Sequence, residues 1–146
     1  LALNRSPVET VDAIGVPVFS PHEDIANARL KFASGCVANL TCSRISPDRM
    51  RKIRVFEPDA YLSTDFTEQE VRVYRRKPGP VPPGVPPMAW VSVESLPVQR
   101  EEPLKLELES FIECVRGRTR PRVSGEDGLA ALELAQRIVD VIRERA

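Results

Sequence analysis

The feature that most limits how this chain can fold is a change of hydrophobic period near residue 100. From Val8 to about Gln99, apolar and polar residues mostly alternate, as they do along half-buried strands. From Leu104 onward the apolar residues recur at helical spacing, through Leu108, Phe111, Ile112 and Val115 and then Leu129, Leu132, Ala135, Ile138 and Ile142. Strands first and helices last predicts an α+β fold, a largely antiparallel open sheet with helices on one face. Two helices can cover one face of such a sheet but hardly both. The bare face must then be polar or hidden against another subunit, which makes it a natural interaction surface.

Several elements can be placed. Val8–Val16 is rich in β-branched residues. Between Asp24 and Phe32, Ala26, Ala28, Leu30 and Phe32 share one face, and Asn27, Arg29 and Lys31 share the other. The Ser34-Gly35 turn and the alternating run from Cys36 to Ile45 complete a β-hairpin. Further strands are expected over Met50–Phe56, Ala60–Phe66, Glu70–Arg76 and Trp90–Val98. Residues 77–88 carry Pro78, Pro80, Pro82, Pro83, Pro86 and Pro87, so they form an exposed loop. The first helix has Pro103 near its first turn and stops at Gly117. Ser124-Gly125-Glu126-Asp127 has the form of a capping box opening a long helix toward Arg143 and Arg145, whose charges suit its negative end.

The 146 residues fit a single domain, 1–146. Lys plus Arg equals Asp plus Glu at 21 each, without the basic excess of a protein that grips phosphate backbones, so no nucleic acid is expected as a partner. No apolar run approaches the roughly 20 residues of a membrane span, and no signal peptide is visible. Cys36, Cys42 and Cys114 have no metal-site spacing and read as reduced, mostly buried thiols of a cytoplasmic protein. Leu1-Ala2-Leu3 before a polar turn looks like the last turn of a preceding helix, with residues 1–5 its remnant and the chain a piece of something longer.

Chemistry-bearing patterns are scarce. There is no Gly-x-Gly-x-x-Gly or Walker loop and no Gly-x-Ser-x-Gly elbow, so no catalytic, cofactor-binding or metal-ligating residue can be named. The lone histidine, His22, sits in a Pro-containing turn with no nucleophile to serve. Arg49 and Arg51 alternate against Lys52 and Arg54, so these cations do not make one basic face, and they read as a solvated rim with local acids. Arg44 is more suggestive, because it ends a hairpin strand beside a turn, where a guanidinium can lean into a cleft.

Two stretches together resemble the Gfo/Idh/MocA oxidoreductases, which include relatives of glucose–fructose oxidoreductase and inositol dehydrogenase. One is the hairpin from Glu23 to Arg44, with Asp24, Ala26, Phe32, Gly35, Ala38 and Ser43 in order. The other is the tail, with Phe111, Gly117, Pro121, Gly125-Glu126-Asp127-Gly128 and Ala131-Leu132. The resemblance covers nearly the whole chain and implies the C-terminal domain of that family. It also implies an N-terminal Rossmann domain, absent here, that would bind NAD(P) and bring the family's catalytic lysine and His/Asp helix. This chain then holds no cofactor itself, although NAD(P) is implied for the parent. The implied role is a substrate-binding and oligomerisation domain of a sugar- or cyclitol-type oxidoreductase, inactive alone. The implied partners are further copies, a homodimer or higher homo-oligomer through the open sheet face. Ser43 and Arg44 are the substrate-side candidates. The alternative is a stand-alone dimerisation or binding module without enzymatic activity. An Arg-lined sheet binding anionic ligands or RNA is the weakest reading.

Overall fold

The computed structural model describes residues 3–145. Its strands are β1 (Val8–Val16), β2 (Ile25–Phe32), β3 (Val37–Ser43), β4 (Lys52–Phe56), β5 (Ala60–Asp65), β6 (Glu70–Arg76) and β7 (Val91–Leu96), and its helices are α1 (Pro103–Gly117) and α2 (Gly125–Arg143). All strand pairings are antiparallel, and the α+β class follows. The strands divide into two sheets, β1-β2-β3 and β4-β5-β6-β7, each with its neighbours in chain order. The division falls at Ser46-Pro47-Asp48, where a proline without an N–H cannot carry the ladder on. Two compact units result: one ends at Pro47 and resumes at Glu107, and the other is Asp48–Leu106.

In the first unit, strand alternation sorts the residues as the sequence pattern requires. Val11, Ala13 and Gly15 of β1 stand beside Leu30, Ala28 and Ala26 of β2. Ala13, Ala28 and Ile142 form a buried cluster, against which Val11, Ala26, Ile138 and Val141 pack, so α2 lies on this face. The small residues are what let the helix come close. A Cβ at Gly15 would sit 2.9 Å from Ile142 Cγ2 and 2.6 Å from Glu23 Cγ, so the strand has no room for a side chain there. The covering of the first sheet comes from α2, because α1 buries none of its own residues.

α2 begins with the predicted capping box. Asp127 N donates to Ser124 Oγ at 3.3 Å, and Ser124 N donates to Asp127 Oδ2 at 2.9 Å. Farther along, Arg137 donates to the main-chain carbonyls of Val8 and Glu9, both at 3.1 Å, and so occupies acceptors on the outer edge of β1. That arginine caps a sheet edge that would otherwise offer itself for strand addition.

The proline-rich loop lies between β6 and β7, as expected. Its base is closed by Lys77 N donating to Trp90 O at 2.9 Å, and the Lys77 ammonium lies 5.6 Å from the centre of the Trp90 ring. Of the proposed helix remnant, Leu1 and Ala2 lie outside the described residues, and Leu3 to Arg5 are not helical. The reason is local: Asn4 Oδ1 accepts from Ser6 N at 3.0 Å, which closes a turn in place of a helical hydrogen bond. Among the described residues, no helix is long and apolar enough to cross a membrane.

Ile142 is the side chain that joins helix to sheet. Ile142→Ala is expected to destabilise the first unit by about 2–4 kcal/mol, measured by urea unfolding followed by circular dichroism. A change below about 0.5 kcal/mol would show that α2 is not anchored here.

Candidate functional site

The last pair of the β2–β3 ladder is Ile25 with Ser43, so Asp24 and Arg44 flank it and lie side by side. Arg44 Nε donates to Asp24 Oδ1 at 2.6 Å, and Arg44 N donates to Asp24 O at 3.1 Å. A second guanidinium nitrogen donates to Ser20 Oγ. The other carboxylate oxygen of Asp24 accepts from three successive amides, those of Val18, Phe19 and Ser20, at 2.8, 2.7 and 3.1 Å. The turn after β1 is thus wrapped around a carboxylate that is only 3% exposed.

A charge can be buried this deeply only when it is paired and hydrogen-bonded, and Asp24 is both. The amides of Phe19 and Val18 do most to hold its carboxyl well below the usual carboxylate range, with Arg44 and the Ser20 amide adding to them against the opposing effect of burial. Arg44 is held at one edge and keeps 53% of its side chain exposed. Beside it, the turn presents the Phe19 side chain to solvent. The group can therefore offer a pre-oriented guanidinium, which suits an anionic or polar ligand.

The structure treats the two sequence candidates differently. Ser43 spends its hydroxyl locally: Oγ accepts from Ser46 N at 3.0 Å and Ile45 N at 3.3 Å and lies 2.7 Å from Ser46 Oγ. It is a turn-former, whereas Arg44 joins the buried charge cluster. Asp24 had no role assigned from sequence. The available signal was an acid placed directly before an alternating strand, after a loop whose amides needed an acceptor. His22 is exposed, and its N–H donates to Ser20 Oγ at 3.2 Å.

The face of the first sheet opposite α2 holds an open concavity of about 410 Å³, with Asp12, Ile14, Asn27, Arg29, Thr41 and Arg145 among its lining residues. Thr41 Oγ1 donates to Asn27 Oδ1 at 2.9 Å, and Arg145 pairs with Asp12. The cysteines depart from expectation. All three are free, but Cys36 and Cys42 are exposed and only Cys114 is partly buried. Cys42 shares a face with Ala26, yet β3 is the sheet edge away from β1, where α2 packs, so no helix covers it.

No family model matches the chain. Its fold and its sequence relatives nevertheless agree: it is a homologue of the C-terminal domain of Gfo/Idh/MocA-type oxidoreductases. The relative behind that statement is UDP-N-acetylglucosamine 3-dehydrogenase of Acidithiobacillus ferrooxidans, 30% identical over 138 residues, 94% of this chain and 42% of the relative. The solved structure of that dehydrogenase, GnnA, superposes with a TM-score of 0.84 at 28% identity, covering 96% of this chain and 44% of that one. Two more distant structures share the fold. Aldose-aldose oxidoreductase from Caulobacter crescentus has a TM-score of 0.69 at 24% identity over 93% of this chain and 39% of that one. The WlbA dehydrogenase from Bordetella pertussis has 0.62 at 19% over 96% and 38%. The chain thus spans less than half the length of the relatives it matches.

A depressed carboxyl pKa stabilises the folded state above the unfolded value of 3.8 and ceases to do so as pH falls toward the folded value. Wild-type stability should therefore drop on acidification below about pH 4. Asp24→Asn should lower the melting temperature at pH 7 and flatten that acid limb, as read by thermal unfolding across pH 7 to 2. If Asp24→Asn left stability at pH 7 unchanged, the buried carboxylate would have no place in the account.

Proposed function

We propose that this chain serves as the substrate-side domain of an NAD(P)-dependent oxidoreductase acting on a sugar, with a UDP-sugar as the first class to test. The observation that carries the reading is the 30% identity to UDP-N-acetylglucosamine 3-dehydrogenase across almost the whole chain. In this reading the nicotinamide cofactor supplies hydride transfer from outside these residues. The described residues do not fit a dinucleotide. Both sheets are wholly antiparallel, with no parallel strand–helix–strand unit, and the N-terminus of α2 is filled by its own Ser124–Asp127 cap.

What this chain would add is position. Arg44, fixed by Asp24 and Ser20, faces the substrate's anionic part, and the polar groove of the first sheet offers hydrogen-bonding groups for hydroxyls. Ser43 shapes the turn that sets Arg44. Copies of the chain associate through an open sheet face, and three free thiols suit a cytoplasmic setting. The second reading, a stand-alone association module, draws on the exposed Phe56 of the second sheet.

A chimera separates the two. The N-terminal part of the Acidithiobacillus dehydrogenase, joined to this chain in place of its own C-terminal part, should bind NADH and reduce NAD when given UDP-N-acetylglucosamine or another UDP-sugar. The 146-residue chain alone should show no NADH binding by calorimetry. A chimera that binds NADH but responds to no sugar nucleotide would favour the association module. Tight NADH binding by the chain alone would contradict both readings.

A further inference from the structure

Gln69 is a glutamine at a place where the backbone favours a glycine. It ends the turn between β5 and β6, and its φ of 50° lies in the left-handed region. Glycine adopts that conformation freely, whereas a residue with a side chain adopts it at a cost. The turn is already held by other groups. Asp65 Oδ1 accepts from Thr67 N at 3.0 Å and from Glu68 N at 3.2 Å, and Asp65 Oδ2 lies 2.9 Å from Lys52 Nζ. The reason for the strain is therefore to be sought in what the Gln69 side chain does.

That side chain grips the main chain of Glu101 on both sides. Nε2 donates to Glu101 O at 2.9 Å, and Glu101 N donates to Oε1 at 3.1 Å, so one amide group imitates the pairing of a neighbouring strand. Residues 97–102, which lead from β7 to α1, are all exposed. Among the described residues, no other hydrogen bond ties 97–101 to the rest of the chain. An open concavity of about 340 Å³ lies at this junction, lined by Thr67, Glu68, Gln69, Arg100, Glu101 and Glu102. The segment thus bridges the turn and buries little against it.

What Gln69 holds stands next to the start of α1. Glu102 Oε1 accepts from Leu104 N at 3.0 Å, and Glu102 Oε2 accepts from Lys105 N at 2.7 Å. Amides of a first helical turn have no acceptor within the helix, so this turn depends on where Glu102 stands. All of these residues belong to the second unit. A segment with little buried surface, tied down by one strained residue, is where local opening costs least. We propose that Gln69 is the latch of a strap: residues 97–102 and the first turn of α1 open and close as one unit while β5 and β6 stay formed. The device is conformational and stands apart from the substrate reading above.

Amide hydrogen exchange of the 146-residue chain, read residue by residue by NMR, tests it. In the wild type the amides of Glu101, Leu104 and Lys105 should share one opening constant, with less protection than those of β5 and β6. Gln69→Gly removes the latch and the strain together. It should speed exchange at the three amides by about tenfold or more and leave the melting temperature unchanged or higher. Gln69→Asn also tolerates a left-handed backbone, but its amide is one methylene short of Glu101, so it should free the same three amides. A glutamine that served only the turn would give the reverse, a shifted melting temperature with exchange at 101–105 unchanged. That result overturns the proposal, and so does exchange that rises at Glu101 while Leu104 and Lys105 stay as in the wild type.

Discussion

The structure depends on the strict alternation of side chains across antiparallel strands, which gives each sheet two faces of different chemistry. A one-residue slip in β1 or β2 would send Ala13, Ala28 and Leu30 to the outside and bring Asp12, Arg29 and Asn27 beneath α2. The register is therefore set by what can be buried. Alanines and Gly15 under α2 let the helix approach, and Ile138, Val141 and Ile142 fill the space between. Arg137 then holds the outer edge of β1, so one helix both covers a face and blocks an edge.

The second fixed point is a buried charge. Asp24 accepts from the turn after β1 and from Arg44 at the end of β3, so one carboxylate joins three separate stretches of the first unit. Apolar packing could join them too, but it would not orient a guanidinium. An arginine held at one edge and open at the other loses less freedom when a ligand arrives, which makes Arg44 a stronger candidate than Ser43 for the substrate-side role proposed. In the functional reading proposed for this chain, positioning rather than cofactor chemistry is what its residues contribute.

Much of this was readable from residues alone. The hairpin followed from the alternation of Ala26, Ala28, Leu30 and Phe32 and the Ser34-Gly35 turn, and the start of α2 followed from Ser124 and Asp127, because such signals are local in the chain. The division into two sheets was not readable, since alternation shows that a strand has two faces but not which strand lies beside it. Asp24 was visible as a motif residue, but its three amide partners come from a loop whose path no period describes. The cysteines misled because a residue on the apolar side of an edge strand is buried only if a helix reaches it. The polar turn at Asn4 to Ser6 was seen, and the helix inferred before it finds no support in Leu3 to Arg5.

The proposal that most needs testing is that copies of this chain associate through an open sheet face, and the face of the second sheet that bears the exposed Phe56 is the first to examine. Hydroxyl-radical footprinting of the chain at two concentrations, read by mass spectrometry, addresses it directly. Phe66, exposed in the turn after β5, serves as the internal reference. Modification of Phe56, Tyr61 and Tyr74 should fall relative to Phe66 as concentration rises. Equal rates at both concentrations, or protection confined to the first sheet, would contradict the account.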